Sequence, residues 1–189
     1  MLEKSRVTKG RSVRIQGRLF LKARGPISIG AHTSIAGGEA GVSLTAEATG
    51  EILVEEDCSL ETQVSIHAAA LVHIGKRCHI GAGTLIRAER AKARGALSLL
   101  QPVIIEADVI IGPRVIILPG VRIGWGSLIG PGVLVARDVP PLSYITGEGA
   151  QPASNSRETS GRGPFPEARL ASLSLAFPRP SFETLGLVD

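Results

Sequence analysis

Aromatic residues are scarce in this chain, with four Phe, one Tyr and one Trp among 189 residues. A globular core normally takes its bulk from such rings, so a broad core of the usual kind is excluded. Three of the four Phe (Phe165, Phe177, Phe182) fall in the last quarter, which leaves the rest almost ring-free. No apolar run approaches the length of a membrane span. The opening Met1–Arg6 does not resemble a signal peptide, so a cytoplasmic location is expected. Charge is only mildly unbalanced, at +4. That suits attraction to an anionic ligand, but no set of stacking aromatics accompanies the charges, so a nucleic-acid partner is not expected.

What is present is aliphatic: 43% of the chain is apolar, mostly Ile, Val, Leu and Ala. It is spaced in sixes. Ile105, Ile111, Ile117, Ile123, Ile129 and Val135 follow one another without a slip, and two positions before each stands Val103, Val109, Val115, Val121, Ser127 or Val133. A period of six fits neither an amphipathic helix nor an alternating strand. It is a repeat, and repeats decide architecture before local propensity does. The same beat runs through Ile74, Ile80 and Ile86, and through Val54, Leu60 and Ile66. Slips come after every third hexad: two extra residues before Ile74 and thirteen before Ile105. Three hexads therefore make one coil with three short strands and three corners. Coils stack at about 4.8 Å into a triangular prism.

Glycines at Gly75, Gly81, Gly112, Gly124 and Gly130 sit directly after the aliphatic position, where sharp corners favour backbone freedom. Cys58 and Cys78 occupy the slot two before it and read as small buried fillers rather than reactive or disulfide-bonded thiols. Residues 1–24 read as a loose end (1–10) and a partial first turn. The repeat region spans 25–141, with an irregular passage from Val42 to Gly50, and Pro140-Pro141 closes it. Residues 142–189 form a mostly irregular tail, in which 166–177 has the pattern of a short helix with Pro166 in its first turn.

The stretch Pro102–Pro141, with the phrases ILPGVRIG and RDVPP, resembles the hexapeptide-repeat acyltransferases, most closely the maltose and galactoside type of sugar O-acetyltransferase. The resemblance implies an all-β fold, a left-handed parallel β-helix, with a loop ejected near 87–101. It implies a homotrimer with active sites between subunits, acetyl-CoA as co-substrate and no metal. The reaction implied is acyl transfer to the oxygen or nitrogen of a small acceptor such as a sugar. A γ-class carbonic anhydrase shares the fold, but its histidine phrases are missing.

The resemblance fails where a catalytic histidine is expected. That position is Ala91, and residues 87–101 hold no histidine. They offer Arg87, Glu89, Arg90, Lys92 and Arg94, either a phosphate-clamping flap or a solvated charged segment. Of His32, His67, His73 and His79, the last two each precede an inward aliphatic residue and so point outward. They lie on consecutive faces, which is poor geometry for shared metal ligation. His79 is the candidate replacement base, with Glu89 as a second catalytic candidate. The cofactor candidates are Gly112, Gly130 and Gly132 along the coils, and Arg137 near a CoA phosphate. Trp125 is the fifth, at a corner where adenine stacking, contact with the tail and cover for an apolar edge remain open. Since structural slots are kept while chemical slots are altered, an inactive solenoid serving as a trimeric binding or assembly module is the alternative.

Overall fold

A computed structural model describes residues 6–92, 98–147 and 149–152. They belong to one compact unit, Met1–Pro152. The second unit, Ala153–Asp189, lies outside the described residues, and so does the helix expected at 166–177.

The described chain winds as a coil with three parallel faces. The first face stacks Val7–Lys9, Ile27–Ile29, Glu51–Val54, Leu71–Ile74, Val103–Ile105 and Arg122–Ile123 in that order. The second face starts with residues 14–16 and 34–36, then takes Ser59–Leu60, His79–Ile80, Ile110–Ile111, Leu128–Ile129 and Ser143–Thr146. The third runs from residues 19–23 and 42–46 through Ser65–Ala68, the start of Leu85–Lys92, Ile116–Ile117 and Leu134–Val135.

The register follows the beat. On the second face Leu60 lies over Ile35, Ile80 over Leu60, Ile111 over Ile80 and Ile129 over Ile111. All five side chains are buried, as are their counterparts on the other faces. The slot two before each aliphatic residue also points inward. At three polar positions in that slot the side chain donates to a corner carbonyl of the next coil: Thr33 to Glu55, Thr84 to Gly112 and Ser127 to Pro140, at 2.9–3.1 Å. Cys58 and Cys78 do the same towards Gly75 and Glu106. Burial pushes the two thiols up to about 11 and about 12, so both remain protonated fillers at neutral pH.

Several expectations need correction. Val7–Lys9 is not a loose end but pairs in parallel with Ile27–Ile29, as the first described strand of the coil. Residues 42–46 are not irregular: they are the second half of the strand Ser34–Ala46, bent at the corner, with Val42, Leu44 and Ala46 buried. Pro140-Pro141 does not end the coil, because Ser143–Thr146 adds another strand to the second face. The corner glycines are also explained differently. Positive φ occurs two residues later, at Asp57, Arg77, Asp108 and Arg114 among others. At Gly112 the constraint is steric: a Cβ there would lie 2.9 Å from the Pro131 nitrogen of the next coil.

The interruption before Ile105 is a β-hairpin. Leu85–Lys92 leaves the third face and pairs antiparallel with Ser98–Gln101, in the register Glu89 to Gln101 and Lys92 to Ser98. The remainder of the expected loop, including Arg94, lies outside the described residues.

Candidate active site

His79 stands in the outward row of the second face, between Ser59 below and Ile110 above. Its Nε2 is 3.4 Å from Oε1 of Glu61, the corner residue one coil earlier. The other Glu61 oxygen accepts the backbone N–H of Ala82 at 3.0 Å, which fixes the carboxylate against the next corner. Burial lowers the His79 pKa below the ordinary imidazole value, with Glu61 pulling the other way. A neutral imidazole braced by a carboxylate is suited to accept a proton near neutral pH.

Glu61 was not singled out in the sequence, although a signal exists. His73 meets Glu55 at 2.8 Å, and His67 lies 3.7 Å from Glu47, so three outward histidines six residues apart each face an acid from the preceding coil. Eighteen residues separate Glu61 from His79 and Glu55 from His73. One coil is twenty residues here, with Leu53 under His73 and Ser59 under His79, and each acid lies at the corner two residues beyond the residue paired with its histidine.

The other candidates are dispersed. Glu89 lies beyond the end of the third face, at the base of the hairpin, and pairs with Arg87 at 3.1 Å. The chain does not bring it to the face that carries His79. Gly112, Gly130 and Gly132 follow one another at the corner between the second and third faces. Gly112 and Gly130 lie under the next coil, whereas a Cβ at Gly132 would meet nothing within 4 Å, although its φ is +69°. Trp125 is exposed at the corner between the first and second faces, its backbone N–H held at 2.8 Å by Glu106. Arg137 is exposed at the corner between the third and first faces. Three corners of one prism cannot line a single cofactor path within one chain.

A shallow groove of about 260 Å³ opens where Gly30, Leu53, Glu55, Glu56 and Lys76 meet. It contains none of the cofactor candidates. Lys76 is engaged with Glu56 at 2.8 Å, so the groove is acidic and ill-suited to a phosphorylated ligand. Among the described residues, no three His, Cys, Asp or Glu side chains converge as a metal site.

Stacked three-strand coils with this inward beat define a β-solenoid of hexapeptide repeats. Residues 102–137 match the family model described as bacterial transferase hexapeptide (six repeats). That segment carries the hexapeptide repeat, and the repeat implies the left hand of the coil. No curated protein matches it. Among solved structures, a mutant of AntD, an N-acyltransferase from Bacillus cereus in complex with dTDP and coenzyme A, is 19% identical, with a TM-score of 0.62 over 90% of this chain and 89% of that one. A hexapeptide-repeat acetyltransferase from Vibrio cholerae is 28% identical, with a TM-score of 0.47 over 73% and 67% of the two chains. A maltose O-acetyltransferase from Clostridium difficile is 20% identical, with a TM-score of 0.47 over 80% and 76%.

Proposed function

We propose that this protein is an acyl-CoA-dependent acyltransferase, acetyl-CoA being the donor, that acts on the hydroxyl or amine of a small acceptor such as a sugar. The carrying observation is the pairing of His79 with Glu61 on a hexapeptide-repeat solenoid. The AntD complex supports the reading because a protein of this fold holds coenzyme A and is an N-acyltransferase.

In this reading His79 takes the proton from the acceptor while the acceptor's oxygen or nitrogen attacks the thioester carbonyl. The C–S bond breaks and CoA leaves as the thiol once reprotonated. No covalent enzyme intermediate is needed, since positioning and a base suffice. Glu61 steadies the imidazolium formed. Gly132 keeps a corner low for the pantetheine arm, with Gly112 and Gly130 closing the coils beside it, and Arg137 and Trp125 meet the nucleotide end. Their placement on different corners is reconciled by a homotrimer, in which corners of neighbouring subunits face one another. Glu89 then belongs to the acceptor side, carried by the hairpin. Such a protein would work in the cytoplasm, where acyl-CoA is made.

The test is release of CoA thiol from acetyl-CoA across a panel of sugars and amino sugars. With an accepted substrate, His79→Ala is expected to lower kcat by at least about 100-fold, and Glu89→Gln to raise KM for the acceptor. Unchanged turnover in His79→Ala removes the assigned base. An absence of both turnover and CoA binding favours the inactive binding module.

A further inference from the structure

The first coil differs from the rest in charge. Residues 6–24 hold seven Lys and Arg and no Asp or Glu, leaving fourteen basic against seventeen acidic residues elsewhere. Lys22 and Arg24 share Glu47, at 3.6 and 3.3 Å. Lys9, Arg11 and Arg18 make no ion pair among the described residues, and Arg11 and Arg18 sit at successive corners.

Among the described residues, this coil is the end of the stack: Val7–Lys9 and Arg14–Ala23 each pair there with a strand on one side only. The inward residues Ile15 and Leu21, equivalent to the buried Ile35 and Leu44 of the next coil, are 42% and 43% exposed. Phe20, on the outer side of the same strand and packed over Gly41, is 53% exposed. Lys9, in register with the buried Ile29, is exposed.

We propose that this end docks on the surface of an anionic phospholipid bilayer, with the cations on the headgroups and Phe20, Ile15 and Leu21 entering the interface. Apolar side chains rimmed by cations are the combination that interfacial binding uses, and each Lys or Arg adds to attraction towards a negative leaflet. Other occupants fit less well. A second copy stacked end to end would bring two cationic coils together. Segment 153–189 has four acidic and four basic residues, hence no net charge to offer. A nucleic acid would want stacking rings, and this coil has only Phe20. The proposal is independent of acyl transfer.

The test is flotation of the full chain with vesicles of phosphatidylcholine alone and of phosphatidylcholine with phosphatidylglycerol in equal parts. Binding is expected only to the second, and to weaken as salt rises. The double variant Arg11→Glu/Arg18→Glu should bind at least about twentyfold more weakly. Phe20→Ser should bind severalfold more weakly with the salt dependence kept, and both variants should keep the wild-type unfolding midpoint. The proposal is overturned by equal or absent binding to the two vesicle types, or by full binding in the double variant. It is also overturned if an oligonucleotide binds more tightly at the same salt, or if sedimentation shows self-association abolished by Phe20→Ser.

Discussion

Adjacent isoleucines on one strand offer a direct trial of the pleat. Ile110 and Ile111 are identical in chemistry and neighbours in sequence, yet Ile111 is fully buried while Ile110 is 37% exposed. Ile111 is held between Ile80 and Ile129. The backbone bonds Gly81 N–H to Ile111 O and Gly112 N–H to Ile129 O, both 2.8 Å, fix the rungs on either side. A cavity there cannot collapse without breaking them. Ile111→Ala should therefore cost towards the upper part of the usual range, about 4 kcal/mol. Ile110→Ala, whose side chain already meets water, should cost about 1 kcal/mol or less. Urea unfolding at fixed protein concentration measures both, and an unchanged m-value makes the difference in midpoint a difference in stability. Ile116 and Ile117, 41% and 0% exposed, provide a replicate on the third face. Equal losses within either pair, or the larger loss at the outward member, would refute the inward assignment.

Gly112→Ala should destabilise by about 2 kcal/mol or more because its Cβ would meet backbone, and Gly132→Ala by about 1 kcal/mol from its positive φ alone; thermal unfolding separates them. Cys58 and Cys78 should resist alkylation at pH 8 in the folded chain and react fully in urea, since burial holds both thiols far above that pH. Stability should fall on acidification in two stages. The His79 value is depressed by burial, so the unfolded chain takes up that proton first and stability declines below about pH 6.5, a step that His79→Gln removes. Asp108 is lowered by the Arg77 guanidinium, and Glu106 by the Trp125 N–H and then Arg122. Their contribution is complete above the ordinary carboxylate range and is lost as pH drops through the lowered folded values, a loss that Arg77→Ala should diminish. Asp108 is exposed and Glu106 half-buried at the surface, so solvent screening should keep this second stage small.

The fold was legible because Ile105 to Val135 repeats without a slip, and each inward position is fixed by its neighbours six residues away. The first coil was harder to read. Its Lys9 and Arg14–Ala23 stretch break the aliphatic beat, and among the described residues one side of that coil has no rung packed on it. The strand Ser34–Ala46 was masked by Gly37-Gly38 and Gly41, which read as a break but serve a bend. Gly37 packs against the Arg18 carbonyl, and Gly38 and Gly41 carry positive φ. At the candidate site, His79 could be picked out by its row, whereas Glu61 could not be picked out without knowing which coil lies below. That contact depends on the length of a full turn, and a two-residue slip such as the one before Ile74 shifts it. The dispersal of Gly112, Trp125 and Arg137 over three corners was invisible for the same reason: a linear motif does not show which corner each hexad reaches.

The unfolding midpoint of the wild-type chain, taken with and without coenzyme A, weighs most directly on the proposed function. A ligand held only by the folded form stabilises it by about 2.7 kcal/mol at a hundred times its Kd, which for a chain of this size raises the midpoint by about 5–10 °C. The account predicts that rise with CoA and with acetyl-CoA. A midpoint unmoved at millimolar CoA would contradict it and leave a solenoid whose faces serve another purpose.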